Sequence, residues 1–451
     1  MATTLKWTKR IALSILAVIA ITALLWAISR ALYPTAEQRE ALARMQLPAP
    51  PEGDNAFAAL WTLDRAVPPD EMPRIIETDA ARIAELPQFP DPNDAETAEF
   101  VSAAEQYPDL APSPADGDLF CREGTRDCLQ RVRRDPGAYR ALVERNRELL
   151  DRIESLAQYD FVRQQLPWNM STSIPLPNFA DLSATRHALW FVEGRIDDAL
   201  AASCRGIETW RRLGASADTL VLRLVANAFA VERHGRLLAD MLAELPIDHP
   251  LPSACEPALA PPAPQELSLC TAMQGEFELM SETTGPMLEE INKQNWWSPL
   301  HLFILYDAPA TEAAQAQNFA PMCAEDELER IAADPPAVKQ SEANRRSRFA
   351  CLGNFTGCFM SVNTAPAYAS YRIRMQDFGA RINLLATLVW LRENADQPGR
   401  LDSLLDQRPE LLKSPTRQVE IAEDGASLHI RMFNEQNGEK WSVPLPAALR
   451  R

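Results

Sequence analysis

Five histidines, a close-spaced set of glutamates and eight cysteines are the residues here whose types could support chemistry. His187, His234, His249, His301 and His429 lie far apart in the chain. None falls in the HExxH arrangement that places two zinc ligands on one helix face. His187 precedes Glu193 by six residues and His234 follows Glu232 by two, spacings that define no acid–base pair. Each is expected as an ordinary surface or core histidine. Glu276, Glu278 and Glu282 share one predicted helix, with Glu278 and Glu282 on the same face, and paired carboxylates can act as general acid and base. In a chain with 62 acidic residues such pairs arise by chance. There is no GxSxG elbow, no Walker A lysine and no GxGxxG turn. The sequence therefore assigns no catalytic, cofactor-binding or metal-ligating residue.

The cysteines carry a clearer message. Cys121 and Cys128 enclose Gly124, and Cys351 and Cys358 enclose Gly353 and Gly357. A helix would hold either pair about 10.5 Å apart at the α-carbons, beyond the roughly 7 Å a bridge can span. The glycines favour loops, so both pairs are expected as disulfides, each stabilising the fold by roughly 2 kcal/mol. Cys255 and Cys270 flank a proline-rich stretch and form a third candidate pair. Cys204 lies in a helical pattern and is expected as a small core residue, and Cys323 is left without an assigned state. None of this gives the CxxC pairs of a zinc site. An even count and loop-closing spacings point to an oxidising compartment.

The element that would deliver the chain there is Ile11–Ile28, an uncharged apolar run preceded by Lys6, Lys9 and Arg10 and followed by Arg30. About 18 such residues suffice to cross a bilayer core of roughly 30 Å. Extended to residues 11–33, the span has Trp7 and Trp26 near its two ends and Arg30 snorkelling at its edge. The flanking cations place its N-terminus in the cytoplasm and the body outside. A cleaved signal peptide with Ala27-Ile28-Ser29 as its site is the alternative. No cysteine follows closely enough for a lipoprotein anchor.

With 46% hydrophobic residues in the whole chain, the remainder has the apolar content for a real core. A formal charge of −17 argues against nucleic-acid binding, which needs cations to neutralise phosphates. With 36 prolines and 16 glycines, the composition suits helices with stiff connections. A capping box at Thr35 and Gln38 opens a helix to Met45. Further helices are expected over Asn55–Arg65 with Asp54 as cap, Asp70–Glu85, Ala95–Gln106 and Pro136–Gln158 with Asp135 as cap. Three more fill Ala180–Leu245. Another runs from Pro264 to Asn295 with a kink or break at Gly285-Pro286, and a last long one from Tyr368 to Asn394. Leu300–Tyr306 is too short to span a membrane and reads as a buried core segment, with an exposed apolar patch for a partner or the bilayer interface as the sharper alternative. Arg345, Arg346 and Arg348 read as a solvated helix end. Val419–Glu423, Ser427–Phe433 and Lys440–Leu445 read as three strands joined by Asp424-Gly425 and Asn437-Gly438 turns, covered by the leucines of 401–412.

The turn Glu193-Gly-Arg-Ile-Asp-Asp-Ala-Leu200 resembles the turn and second-helix start of a tetratricopeptide repeat, with Gly194 and Ala199 at the two matched positions. The resemblance covers one hairpin of about 34 residues without a second copy at that period, and implies an αα-hairpin rather than a repeat array.

The expected fold is mainly α: a single N-terminal transmembrane helix, an all-helical body of antiparallel helix pairs, and a small C-terminal three-stranded antiparallel β element. The expected parts are a cytoplasmic flank at 1–10, the membrane helix at 11–33, helical regions at 34–245 and 266–400, a proline-rich connection at 246–265, and residues 401–451 with the β element. The expected role is a binding or scaffolding module in the periplasm, tethered to the inner membrane through residues 11–33, with a protein partner in the cell envelope. A cell-envelope hydrolase with a carboxylate-based site is the alternative.

Overall fold

The computed structural model describes residues 2–87, 100–121, 127–169, 179–293, 298–336, 349–395, 401–434 and 438–450. The Arg345, Arg346 and Arg348 cluster and Gly124 lie outside these residues. The described part is predominantly helical with one small antiparallel sheet near its C-terminal end. It divides into two compact units, each assembled from separated stretches.

The first unit holds Met1–Leu47, Phe277–Ala324 and Val338–Ala369. Its N-terminal helix, Ala2–Leu32, contains the stretch Arg10–Leu32, which among the described residues is the one span long and apolar enough to cross a membrane. Thr35 and Gln38 form the reciprocal capping box that opens Ala36–Arg44. Ala41 and Met45 of that segment are buried where it packs on the alanine-rich helix Ala308–Phe319. Small side chains there (Ala310, Ala313, Ala314 and Ala316) let the two backbones approach closely. The helix expected from Pro264 begins at Cys270, because Pro264–Leu267 forms a separate turn ending at extended Ser268. It is continuous through Pro286 to Lys293, which removes the break from the expected kink or break at Gly285-Pro286. Pro286 has no N–H to offer the carbonyl of Glu282, a residue exposed at the surface.

The second unit holds Pro48–Glu276, Glu325–Ala337 and Ser370–Arg451. Its centre is the αα-hairpin Ser183–Val192 and Ile196–Ser216. Gly194 turns the chain at φ 85°, a left-handed conformation that glycine adopts without a Cβ penalty, and Ala199 is fully buried. The third helical run packs across Ile196–Ser216 and is continuous from Leu220 to Glu244, but Phe229–Gly235 within it is a π-helical turn.

Two expected helices of this unit are shorter than their periodicity implies. The Pro136–Gln158 helix opens with Asp135 capping the Ala138 N–H, yet is interrupted at Asn146, giving Pro136–Arg145 and Arg147–Ser155. The buried Asn146 amide donates to the Leu142 carbonyl and to Asp116, a side-chain competition that disfavours regular helix. The helix near Asn55 is only Phe57–Trp61; Ala56 holds its N-cap position without a side-chain cap, and the Asn55 side chain, not that of Asp54, accepts the Phe57 N–H. Asp54 is drawn instead into backbone pairing with Asp160 and Phe161.

The sheet order is β1 (Val419–Ile421), β2 (Ser427–Arg431), β3 (Lys440–Pro444), all antiparallel. Register pairs Leu428 with Val443 and Ile430 with Trp441, and these four side chains with Val419 make one buried face. The helix Arg236–Glu244 packs on β3, placing Arg236 over the Trp441 ring. Leu411, expected on the covering side, is exposed.

A buried ion network ties this sheet region to the long helix Phe355–Glu393. Arg417 makes two parallel hydrogen bonds to Asp334, at 2.6 and 2.9 Å, and a third to Asp377 at 2.8 Å. Asp377 also accepts the backbone N–H groups of Phe433 and Asn434.

All eight cysteines are oxidised. Cys121 is bridged to Cys128 and Cys351 to Cys358. Cys255 is bridged to Cys204, not to Cys270, so Cys204 is a cross-link and not a spare core residue.

Candidate functional site

Histidines 47 positions apart meet in the second unit. The Arg147–Ser155 helix supplies Glu154, Ser183–Val192 supplies His187, and the π-helical turn supplies His234. The His187 and His234 rings lie 5.4 Å apart, centroid to centroid. Together with Thr209, Trp210 and Arg205 they line a cavity of about 80 Å³. Gly206 faces the His234 ring so closely that an added Cβ would fall 2.7 Å from three ring atoms, so only glycine leaves room for it. The extra residue of a π-turn re-aims the side chains that follow it, and such turns recur at functional positions. No sequence spacing announces this meeting, because both histidines sit in ordinary helical patterns.

The polar contacts define what the pair can do. Glu154 Oε1 lies 3.0 Å from His187 Nε2 and 2.6 Å from an Arg186 Nη. His187 Nδ1 lies 3.4 Å from the Ser203 hydroxyl. Burial opposes ionisation of Glu154, but the hydrogen bond from His187 and the Arg186 charge outweigh it and hold the carboxyl at about 2. Burial keeps His187 neutral despite Glu154. Burial, with His187 beside it, pushes His234 down to about 3, and among the described residues neither His234 ring nitrogen has a hydrogen-bond partner.

The chain Ser203–His187–Glu154 has the residue types of an acyl-transfer relay. Ser203 is fully buried and does not line the cavity, so a substrate carbonyl has no approach to its oxygen. Among the described residues no group of three or more His, Cys, Asp or Glu is arranged to hold a metal. The cavity has room for several waters or a molecule of a few heavy atoms.

A pH prediction follows from His234. In the unfolded chain an imidazole takes a proton near pH 6.5, whereas folded His234 resists it to about 3. His234 therefore lowers stability progressively as the pH falls through that window. Buried Asp240, raised to about 7, acts in the opposite sense, so the wild-type profile alone is mixed. In a comparison of His234→Gln with wild type the Asp240 contribution cancels. The variant is expected to gain about 3 kcal/mol on wild type between pH 7 and pH 4, at about 1.4 kcal/mol per unit below 6.5. Urea unfolding at each pH measures it, and parallel profiles would contradict the assignment.

The other sequence candidates do not converge on this cavity. Glu276 accepts the Leu220 N–H, and Glu282 is exposed. His249 pairs with Asp197, and His429 with Glu420. The side chain of His301 lies outside the described residues.

The first unit holds a different arrangement, at the end of the apolar N-terminal helix. The Trp26 indole donates to the Ile304 carbonyl at 2.8 Å. Ser29, 1% exposed, donates to the Phe349 carbonyl and accepts from the Gly353 N–H. Arg30 donates to the carbonyls of Gly353 and Tyr306, lies 3.7 Å from the Asp307 carboxylate, and covers the Trp26 and Phe303 rings. Arg30 is thus fixed by the folded body and does not snorkel freely. The apolar helix ends inside a folded unit, with no free linker between them.

No protein-family description, curated protein or solved structure matches this chain.

Proposed function

We propose that this chain is a single-pass membrane protein with its N-terminus in the cytoplasm. Its body then lies on the outer face of the cytoplasmic membrane, in a bacterium the periplasm, and serves there as a binding or scaffolding module for an envelope protein. The observation that carries this reading is the junction at Trp26, Ser29 and Arg30. Proteolytic sites favour exposed, poorly hydrogen-bonded backbone, whereas Ser29 is buried and bonded to Phe349 and Gly353. Cleavage at Ala27-Ile28-Ser29 would detach the helix whose Trp26 is bonded to Ile304, so a retained anchor fits better than a removed signal. The oxidised cysteines support an exported body. The basic flank at Lys6, Lys9 and Arg10 supports the orientation. The hydrolase reading has the Ser203–His187–Glu154 chain in its favour, and the burial of Ser203 counts against it.

A reporter active only outside the cytoplasm, fused after Arg451, is expected to be active, and the full-length chain is expected to stay with membranes through alkaline carbonate washing. An inactive reporter overturns the orientation, and release by carbonate overturns the anchor. Crosslinking in intact cells is expected to recover a discrete envelope partner; recovery of this chain alone would count against scaffolding.

A further inference from the structure

We propose that the first unit makes a second membrane contact, in which the helix Ser298–Leu305 and the segment Leu352–Phe359 rest in the outer leaflet against phospholipid acyl chains. This rests on the reading of Arg10–Leu32 as a spanning helix and adds to it a surface the anchor alone does not require.

Depth carries the argument. A span from Arg10 to Leu32 rises about 34 Å, close to the roughly 30 Å hydrocarbon core. Trp26 lies six residues before Leu32, about 9 Å along the axis from that end. Its indole N–H is bonded to the carbonyl of Ile304, and its ring lies 5.6 Å from that of Phe303. Whatever touches Trp26 sits at the depth of Trp26. The C-terminal turn of Ser298–Leu305 is therefore held within the slab once the helix spans it.

The side chains agree with that placement. Ser298–Leu305 reads SPLHLFIL and contains no Asp, Glu, Lys or Arg. Leu300 is 53% exposed, Phe303 61% and Ile304 41%. Three such side chains exposed together on one short helix leave a large driving force for burial unused in water. The core position expected from sequence is not where they are; an apolar solvent outside the protein satisfies the same composition. A second segment reaches the same place: Arg30 is bonded to both Tyr306 and Gly353. Leu352 precedes Gly353, and Phe355 and Phe359, 59% and 65% exposed, follow it one helical turn apart. Cys351–Cys358 closes this segment.

The polar groups mark the boundary. Arg30 pairs with Asp307, and Tyr306 stands between them and the apolar run, an order suited to the glycerol and headgroup layer. Lipid is the occupant to which the geometry commits, because the patch is continuous with a helix whose own apolar side chains are exposed from Ile11 to Leu24.

The test uses the full chain reconstituted in phosphatidylcholine–phosphatidylglycerol vesicles carrying a phospholipid with a diazirine on its acyl chain. After illumination and proteolysis, mass spectrometry maps the label. Label is expected within 300–304 and 352–359 as well as within 11–28. Label confined to 11–28 overturns the second contact and leaves the anchor standing. Absence of label from 11–28 overturns the anchor on which the inference rests. In Leu300→Lys/Phe303→Lys, label at 300–304 is expected to be lost while carbonate-resistant membrane retention stays at the wild-type level. Undiminished label in that variant, with the Cys351–Cys358 bridge intact, would likewise overturn the inference.

Discussion

Replacing Arg417 by methionine is expected to destabilise the second unit by about 3–5 kcal/mol, the cost of breaking a buried ion network from one side. Arg417 is almost wholly enclosed, with Asp377 enclosed beside it and Asp334 only slightly exposed. Methionine fills much of the volume but takes from Asp377 its hydrogen-bonded counter-charge, leaving it two backbone N–H donors and the charge of Arg381 nearby. Asp334 loses both parallel hydrogen bonds while keeping the Ser414 hydroxyl. Because these contacts join the start of the sheet region to the Phe355–Glu393 helix, the loss should appear first as faster hydrogen exchange in β2 and β3. Asp334→Asn should cost less, since the amide oxygen still accepts one guanidinium bond and water reaches the site. A cost below about 1 kcal/mol for Arg417→Met would show that the network is neutral to the fold.

The Cys204→Ala/Cys255→Ala variant is expected to lose about 4 kcal/mol under oxidising conditions. The bridge spans 51 residues, and the chain-entropy relation gives about 4 kcal/mol for a loop of that length against about 2.4 for one of seven. Cys204 lies on Ile196–Ser216, the helix that packs against both the π-turn and Ser183–Val192. Its loss should therefore loosen the histidine cavity as well, read as increased exchange of the amides around His234. Removing Cys121–Cys128 or Cys351–Cys358 should cost about half as much. Urea midpoints for the three variants test the ranking, and equal losses would mean that native-state packing, not loop length, sets their value.

What proved legible in the sequence is what short-range physics governs. The uncharged run Ile11–Ile28 forms a helix exposed along its length. Thr35 with Gln38, and Asp135 alone, cap the helices they precede, because a side-chain oxygen meets an unsatisfied N–H a few residues away. Gly194, Gly425 and Gly438 all adopt the positive φ their turns require. The mainly helical body and the three-stranded C-terminal element follow from such local signals added along the chain. Short-range patterns misled where a distant partner competed. Asn146 found Asp116, and Asp54 found Asp160, and each shortened a helix that periodicity alone would have continued.

The candidate sites were another matter. An apolar run such as Leu300–Leu305 has the same composition whether it is buried or exposed, and only tertiary structure shows it exposed beside Trp26. Cys204 chose Cys255 across 51 residues, and His187 met His234 across 47, because helices crossing in space bring together positions that sequence spacing does not relate. The amino-acid order determined the apolar span, the helix caps, the turns and the class of fold, since each depends on neighbours within a few residues. Packing alone decided which cysteines pair, which histidines share a cavity and how the end of the apolar helix is held, since each depends on groups brought together from distant parts of the chain.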